Sequence, residues 1–199
     1  MNELYAAAIR VQAFCRERDW RFCVIGGIAA QRWGEVRFTK DVDLTLFTGF
    51  GGEERFIRVW LEHFPLRAPG TVELALRHRV LLLTTPDGTP VDVALGAVPF
   101  EERAVQRSSE WNLPAGGSLR TCSAEDLVVH KCFAGRDRDW LDVRGVLLRQ
   151  GKRLNLDLIR EELRPLALLK EAPEILDRLE REVRLSRQAF TKIPPPQTP

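Results

Sequence analysis

Two carboxylates lie close together in an alternating stretch of the chain, Asp41-Val-Asp43-Leu-Thr-Leu-Phe47. Side chains two residues apart on a strand point to the same face, so Asp41 and Asp43 should project together. Carboxylates placed side by side repel each other and are costly unless a cation lies between them. Paired oxygen ligands suit Mg²⁺ or Mn²⁺. The spacing therefore predicts a strand at residues 41–47 that holds a divalent metal ion.

A pair of glycines precedes these carboxylates. Gly26-Gly27 ends the apolar run Phe22-Cys-Val-Ile25 and opens a segment that is predicted to be helical at about 27–33. Free backbone N–H groups and the helix dipole favour phosphate at such a position. A phosphate site followed by a metal site within about twenty residues is the layout of a phosphoryl or nucleotidyl transfer centre.

These residues form one longer pattern, Gly26-Gly-Ile-Ala29 followed by Arg37-Phe-Thr39-Lys-Asp41-Val-Asp43-Leu44. The pattern resembles the signature of the DNA polymerase beta-like nucleotidyltransferase superfamily. Its Arg-x-Thr-x-Asp-x-Asp-Leu form is similar to the AbiEii-type toxin nucleotidyltransferases and the aminoglycoside nucleotidyltransferases. Many members of the superfamily have Gly-Ser where this chain has Gly26-Gly27, and their serine hydroxyl touches the triphosphate. Only backbone donors remain at Gly27.

A third carboxylate, Asp92, stands in Val91-Asp-Val-Ala-Leu95, the predicted returning strand of a hairpin over residues 79–95. Buried carboxylates are rare unless they are paired or bind a metal ion. Taken alone, the position favours an exposed aspartate on an edge strand, whereas the pair upstream favours a site residue. The resemblance implies that Asp92 completes the metal site and takes the proton of an incoming hydroxyl.

A second stretch could bind phosphate, Lys131-Cys-Phe-Ala-Gly-Arg136-Asp-Arg-Asp139-Trp-Leu-Asp142. It is similar to the helical segment that follows the catalytic domain in AbiEii-like proteins. That resemblance implies that Lys131 and Arg136 bind nucleotide phosphate and that Asp139 and Asp142 support the site. The alternative is a solvated helix face with ion pairs three or four residues apart. For Asp139 and Asp142 both interpretations stay open.

The implied site therefore has two sets of residues. The catalytic and metal-binding set is Asp41, Asp43 and Asp92. The nucleotide-binding set is Gly26, Gly27, Arg37, Thr39, Lys40, Lys131 and Arg136. Arg37 and Lys40 flank the carboxylates, so either of them would touch phosphate or simply neutralise the acidic pair.

The helices and strands that are predicted to position these residues indicate an α/β (α+β) fold. We expect a nucleotidyltransferase-type mixed sheet flanked by helices, with Asp41 and Asp43 on one strand and Asp92 on the next. Residues 1–108 would form the catalytic domain, and residues 109–190 a helical C-terminal region that completes the site. The proline-rich residues 191–199 are predicted to be a disordered tail.

Composition sets broader limits. The 199 residues are 44% hydrophobic and 29% charged, which is ordinary for a soluble globular protein. A net charge of +2 gives no electrostatic argument for a nucleic acid or a membrane as partner. The N-terminal residues lack the features of a signal peptide, and no apolar run approaches the length of a membrane span. The four cysteines form no Cys-x-x-Cys pair and are predicted to be core residues of a reduced, cytoplasmic protein.

These inferences predict a metal-dependent enzyme that transfers NMP from an NTP to a hydroxyl acceptor and releases pyrophosphate, with Mg²⁺ or Mn²⁺ as cofactor. The acceptor would be a tRNA end, a protein hydroxyl or a small molecule such as an aminoglycoside. The resemblance to toxins allows an antitoxin as partner. The rival interpretation is a non-catalytic relative that binds nucleotide or a partner protein, and the intact carboxylates argue against it.

Overall fold

A computed structural model of the protein describes residues 3–114 and 116–192. The chain divides into two compact units. The first, here called the sheet unit, comprises residues 1–29 and 37–123, and the second, the helical unit, comprises residues 30–36 and 124–199. Within the described residues, no helix is long and apolar enough to cross a membrane.

The sheet unit contains a six-stranded mixed sheet. Its strands are β1 (Phe22–Val24), β2 (Val42–Phe47), β3 (Val80–Thr84), β4 (Pro90–Gly96), β5 (Ser109–Asn112) and β6 (Ser118–Thr121). The strand order is β3-β4-β2-β1-β6-β5. The β2–β4 and β1–β6 pairs are parallel, and the other neighbours are antiparallel. This mixed sheet with flanking helices confirms the predicted α/β fold class.

Helices of the sheet unit are α1 (Glu3–Arg16), α3 (Glu53–Leu61), α4 (Thr71–His78) and α5 (Pro99–Gln106), together with the first half of α2 (Gly26–Trp33). The core of this unit follows from strand alternation. Val42, Leu44 and Leu46 of β2 are fully buried, whereas Asp43 between them is half-buried. Burial of each such aliphatic side chain contributes about 1.5–3 kcal/mol to stability. Because Val42, Leu44 and Leu46 must face the core, Asp43 points to the opposite face of the sheet.

The helical unit consists of α6 (Ala124–Ala134), α7 (Asp137–Gln150), α8 (Leu156–Leu169) and α9 (Glu174–Lys192), with a short 3-10 helix at Gly151–Arg153. Residues 30–36 also belong to it, since Gln150 donates to the carbonyl of Trp33 at 2.6 Å and Arg149 donates to that of Gly34. Residues 191 and 192, which were predicted to be disordered, end α9. The rest of the predicted tail, 193–199, lies outside the described residues.

Residues 109–123 differ from the expectation of a helical region that starts at 109. They contain β5 and β6, and β6 pairs with β1 through Val24 and Thr121, so they belong to the sheet unit. Strands of four residues are too short for their alternation to stand out in the sequence. The four cysteines are fully buried, which confirms that they are core residues.

Candidate active site

Asp43 and Asp92 lie directly opposite each other on the parallel strands β2 and β4. Residues in register on neighbouring strands are about 4.8 Å apart and point to the same face. Asp41 comes immediately before β2, two residues ahead of Asp43, and all three carboxylates are half-buried. The structure therefore brings the three predicted acidic residues to one region of the sheet unit.

The carboxylate of Asp43 lies over the glycine turn that opens α2. The Gly27 N–H donates to Asp43 Oδ2 at 3.4 Å, and the Ile25 N–H donates to the Asp43 carbonyl at 2.9 Å. Gly26 has φ +62°, and a β-carbon on it would lie 2.0 Å from Asp43 Oδ2. Both the positive φ and this close approach require glycine at position 26. The predicted phosphate turn and the predicted metal strand are thus in direct contact.

Thr39 fills the space above the second glycine. A β-carbon on Gly27 would lie 2.4 Å from Thr39 Oγ1 and 2.7 Å from Thr39 Cβ. The segment before β2 therefore folds back onto the first turn of α2 and places a hydroxyl beside the glycine pair. Nucleotide binding by Thr39 stays a prediction.

The two basic residues that flank the carboxylates lie in the same segment. Arg37 is half-buried and donates to the Phe38 carbonyl at 3.3 Å, while Lys40 is exposed, with its ammonium 5.8 Å from the Phe38 ring centre. Phe38 itself is 79% exposed. Lys40 makes no ion pair with any residue that the structure describes. Nucleotide binding by Arg37 and Lys40 stays a prediction.

Asp92 has a partner that the sequence did not indicate. Arg67, in the segment between α3 and α4, forms an ion pair with the Asp92 carboxylate. The two side chains are 30% and 29% exposed. Nothing in the sequence around Arg67 marks it, because only the packing of its segment against β3 brings it to Asp92.

The carboxylates of the site are of the chemical type that binds a divalent cation, but they do not form a complete set of metal ligands. Opposed carboxylates such as Asp43 and Asp92 supply the oxygen ligands that Mg²⁺ and Mn²⁺ prefer. Within the described residues, however, no group of three or more His, Cys, Asp or Glu side chains is arranged to hold a metal ion. Asp92 is engaged by Arg67 instead. The three-carboxylate metal site stays a prediction.

Lys131 and Arg136 belong to the helical unit, and both contact carboxylates of α7. Lys131 is 6% exposed, and its Nζ lies 3.1 Å from Asp139 Oδ1 and 2.8 Å from Asp142 Oδ2. Arg136 Nε lies 2.6 Å from Asp139 Oδ2. Burial acts to raise the pKa of Asp139, but the hydrogen bonds from Arg136 and Lys131 outweigh it and hold that pKa below its ordinary value. Nucleotide binding by Lys131 and Arg136 stays a prediction.

No family model and no curated protein matches the chain. Among solved structures it is similar to an antigenic nucleotidyltransferase-like protein from Paracoccidioides brasiliensis, at 14% identity and a TM-score of 0.47, over 88% of this chain and 91% of that chain. It is also similar to the lincosamide antibiotic adenylyltransferase LnuA bound to lincomycin, at 11% identity and a TM-score of 0.44, over 69% and 92% of the two chains. A third similar structure is JHP933 from Helicobacter pylori, at 15% identity and a TM-score of 0.42, over 96% and 95%. Likenesses as distant as these do not establish the family or the activity of the chain.

Proposed function

We propose that this protein is a nucleotidyltransferase that moves NMP from an NTP to a hydroxyl acceptor. The observation that supports the proposal is the contact between two features that nucleotidyl transfer needs. Asp43, which lies opposite Asp92 on β2 and β4, contacts the Gly26–Gly27 turn at the N-terminus of α2. The positive end of a helix dipole favours the binding of phosphate. Carboxylate oxygens favour the binding of the Mg²⁺ that accompanies a nucleotide.

The residues divide the work of the reaction. The glycine turn at Gly26 and Gly27, the Thr39 hydroxyl and the Lys40 ammonium would hold the triphosphate. An acceptor oxygen forms a bond to the α-phosphorus, the bond from that phosphorus to the β-bridging oxygen breaks, and pyrophosphate leaves. Asp92 would take the proton of the acceptor hydroxyl. A divalent cation bound by the carboxylates of Asp41, Asp43 and Asp92 would supply charge neutralisation at the phosphates.

Two observations favour a second candidate, a nucleotide-binding protein without transferase activity. Arg67 occupies the Asp92 carboxylate, and the described residues hold no three-member metal group. A chain that kept this arrangement with nucleotide bound would bind NTP through the glycine turn and transfer nothing. The two candidates differ in one measurable property, which is turnover.

The test is transfer of label from each NTP, labelled at the α-phosphate, in the presence of Mg²⁺. Acceptors are offered separately as tRNA, a protein extract and an aminoglycoside. We expect one acceptor to become labelled, and we expect Asp43→Asn to abolish the labelling. The matched control is Glu73→Gln, which removes the charge of an exposed carboxylate on α4 and should leave labelling unchanged.

The outcome of that assay also separates the biological roles. Labelling of tRNA or protein, with growth arrest on expression, would support a toxin and justify a search for an antitoxin. Labelling of the aminoglycoside would support an antibiotic-modifying enzyme. NTP binding without labelling of any acceptor would contradict the proposal and support the non-catalytic candidate.

A further inference from the structure

Arg67 is fixed to the edge of the sheet by its own backbone. Its N–H donates to the carbonyl of Leu82 on β3 at 3.1 Å, and the preceding residue, Leu66, forms an isolated bridge with Leu83. Since β3 is an edge strand, this segment covers the outer edge of the sheet. The starting point of the Arg67 side chain is therefore set by backbone hydrogen bonds.

From that edge the guanidinium reaches across β3 to β4. Leu82 lies opposite Asp92 in the β3–β4 register, and Arg67 donates both to the Asp92 carboxylate and to the Leu83 carbonyl, the latter at 3.3 Å. Asp92 in turn lies opposite Asp43. Like charges placed directly opposite each other on neighbouring strands are destabilising. Arg67 is thus a cation at the end of a row that contains two opposed carboxylates.

We propose that Arg67 is a positioning residue that acts through Asp92. In the cation-free protein its guanidinium holds and neutralises the Asp92 carboxylate, and it releases that carboxylate when a divalent cation binds. This inference rests on the proposed function only in taking Asp92 to be a cation ligand. In the structure the Asp92 carboxylate is engaged by Arg67, and the described residues contain no group of three candidate metal ligands.

A competition follows from this arrangement. A cation that binds Asp92 must displace the Arg67 ion pair, so the strength of that pair lowers the apparent affinity of the site. Removing the guanidinium should therefore tighten cation binding. A residue that only stabilised the sheet would have no such effect.

The test uses the full chain without nucleotide and Mn²⁺ as the probe. Arg67→Met keeps the length of the side chain and removes its charge and its donors. Because the pair is about 30% exposed on each side, we expect Mn²⁺ to bind about threefold to fivefold tighter by calorimetry, the range of a partly exposed ion pair. In EDTA, the Tm of the variant should fall by about 2–4 °C, since the Asp92 carboxylate then lacks the guanidinium with which it forms an ion pair.

Four further variants make the result specific. Arg67→Lys retains the charge and should return the Mn²⁺ affinity most of the way to that of the wild type. Arg77→Met removes an exposed arginine of α4 that makes no ion pair with a described residue, and it should change neither quantity. Combined with Asp92→Asn, Arg67→Met should give no gain in Mn²⁺ affinity over Asp92→Asn alone.

Mn²⁺ affinity in Arg67→Met that does not exceed the wild-type affinity overturns the inference, including the case in which neither protein binds Mn²⁺. An unchanged Tm in EDTA overturns the neutralising role of Arg67. The expected gain in affinity, in a protein that transfers no nucleotide, upholds the inference and counts only against the proposed activity. Nucleotide transfer by the wild type, with a Mn²⁺ affinity that is unchanged in Arg67→Met, would uphold the proposed activity and overturn the inference about Arg67.

Discussion

At the scale of single residues, the close contacts around positions 26 and 27 explain why both residues are glycine. The Asp43 carboxylate occupies the position where a β-carbon of residue 26 would be, and Thr39 occupies that of residue 27. Gly27 is the position where the resembled superfamily commonly has serine. In this chain the nearby hydroxyl comes from Thr39, on the segment that leads into β2, so a polar group still lies at the turn.

Gly27→Ala should therefore destabilise the protein through one identified contact. The added β-carbon would lie 2.4 Å from Thr39 Oγ1, which forces the segment before β2 to shift. We expect a loss of about 1–3 kcal/mol in the free energy of unfolding, measured by urea denaturation. In a Thr39→Gly background the same substitution should cost less than about half as much, because the obstructing side chain is gone.

Gly52→Ala is the control for this cycle. A β-carbon there would meet the Thr48 carbonyl at 3.4 Å, an ordinary van der Waals contact, and Gly52 has φ −113°. Its cost should not depend on Thr39. If Gly27→Ala cost the same with and without Thr39, the contact between the two positions would not be the cause.

At the scale of elements, the sequence predicted those parts of the fold whose pattern is local. The alternation around Asp43 predicted β2, and the Val-Asp-Val stretch around Asp92 predicted β4, because period-two burial shows in the chain itself. The glycine pair likewise marked the start of α2. The prediction that Asp92 lies on the strand next to that of Asp43 required the family resemblance, since two strands far apart in the chain give no sign of being neighbours, and the parallel register was not predicted.

The sequence analysis missed elements and contacts that depend on tertiary packing. It assigned no element to residues 71–78, where α4 is bounded by Gly70 and Arg79, both with positive φ. A non-glycine residue such as Arg79 gives no warning of that conformation. It also missed the ion pair of Arg67 with Asp92, because that contact spans 25 residues and crosses a strand.

Lys131 gives a prediction about the contact between α6 and α7. Its ammonium lies between the Asp139 and Asp142 carboxylates, and all three groups are buried. Lys131→Met would remove the ammonium from between these buried carboxylates, so we expect the free energy of unfolding to fall by about 3–5 kcal/mol at neutral pH. Lys152→Met, in the 3-10 helix, removes an exposed lysine and should cost little.

The pH dependence of that loss has a definite sign. In the wild type the pKa of Asp139 is depressed, so its contribution is present above its unfolded pKa and lost as the pH falls through the folded value. Without Lys131, burial opposes a charged Asp139 more strongly, and protonation relieves the cost. The stability difference between wild type and variant should shrink as the pH is lowered from 7 toward 4. A constant difference would mean that the ion pairs of Lys131 are not its source.

The same variant tests whether Lys131 also binds nucleotide phosphate. A lysine at the β- and γ-phosphates would strengthen NTP binding more than NMP binding, because NMP lacks both groups. Calorimetry of Lys131→Met with NTP and NMP, below its unfolding temperature, therefore separates the two roles. Equal affinity changes for NTP and NMP would assign Lys131 to the packing of α6 on α7 alone.

At the scale of the whole molecule, the chain order does not follow the division into units. Residues 30–36 belong to the helical unit, although they lie between two stretches of the sheet unit. The chain therefore leaves the sheet unit within α2, returns at residue 37 and leaves again after residue 123. The predicted boundary at 108 treated the chain as one continuous domain followed by another, and a sequence pattern holds no sign of such an exchange.

The cysteines allow the cooperativity of the two units to be measured. Cys15, Cys23 and Cys122 belong to the sheet unit and Cys132 to the helical unit, and each is fully buried. Burial raises the pKa of the Cys15 and Cys132 thiols, so the reactive thiolate is scarce in the folded chain. We expect no alkylation of the native protein at pH 8, and labelling of each thiol only when its own unit opens.

Because each unit is compact and contains its own buried residues, we expect the two to open at different urea concentrations. Pulsed alkylation across a urea series, with the labelled peptides quantified by mass spectrometry, gives a midpoint for each cysteine. Cys15, Cys23 and Cys122 should share one midpoint, and Cys132 should have another. Labelling in high urea is the control, since all four thiols should then react fully. A single midpoint shared by all four cysteines would show that the chain unfolds as one cooperative unit.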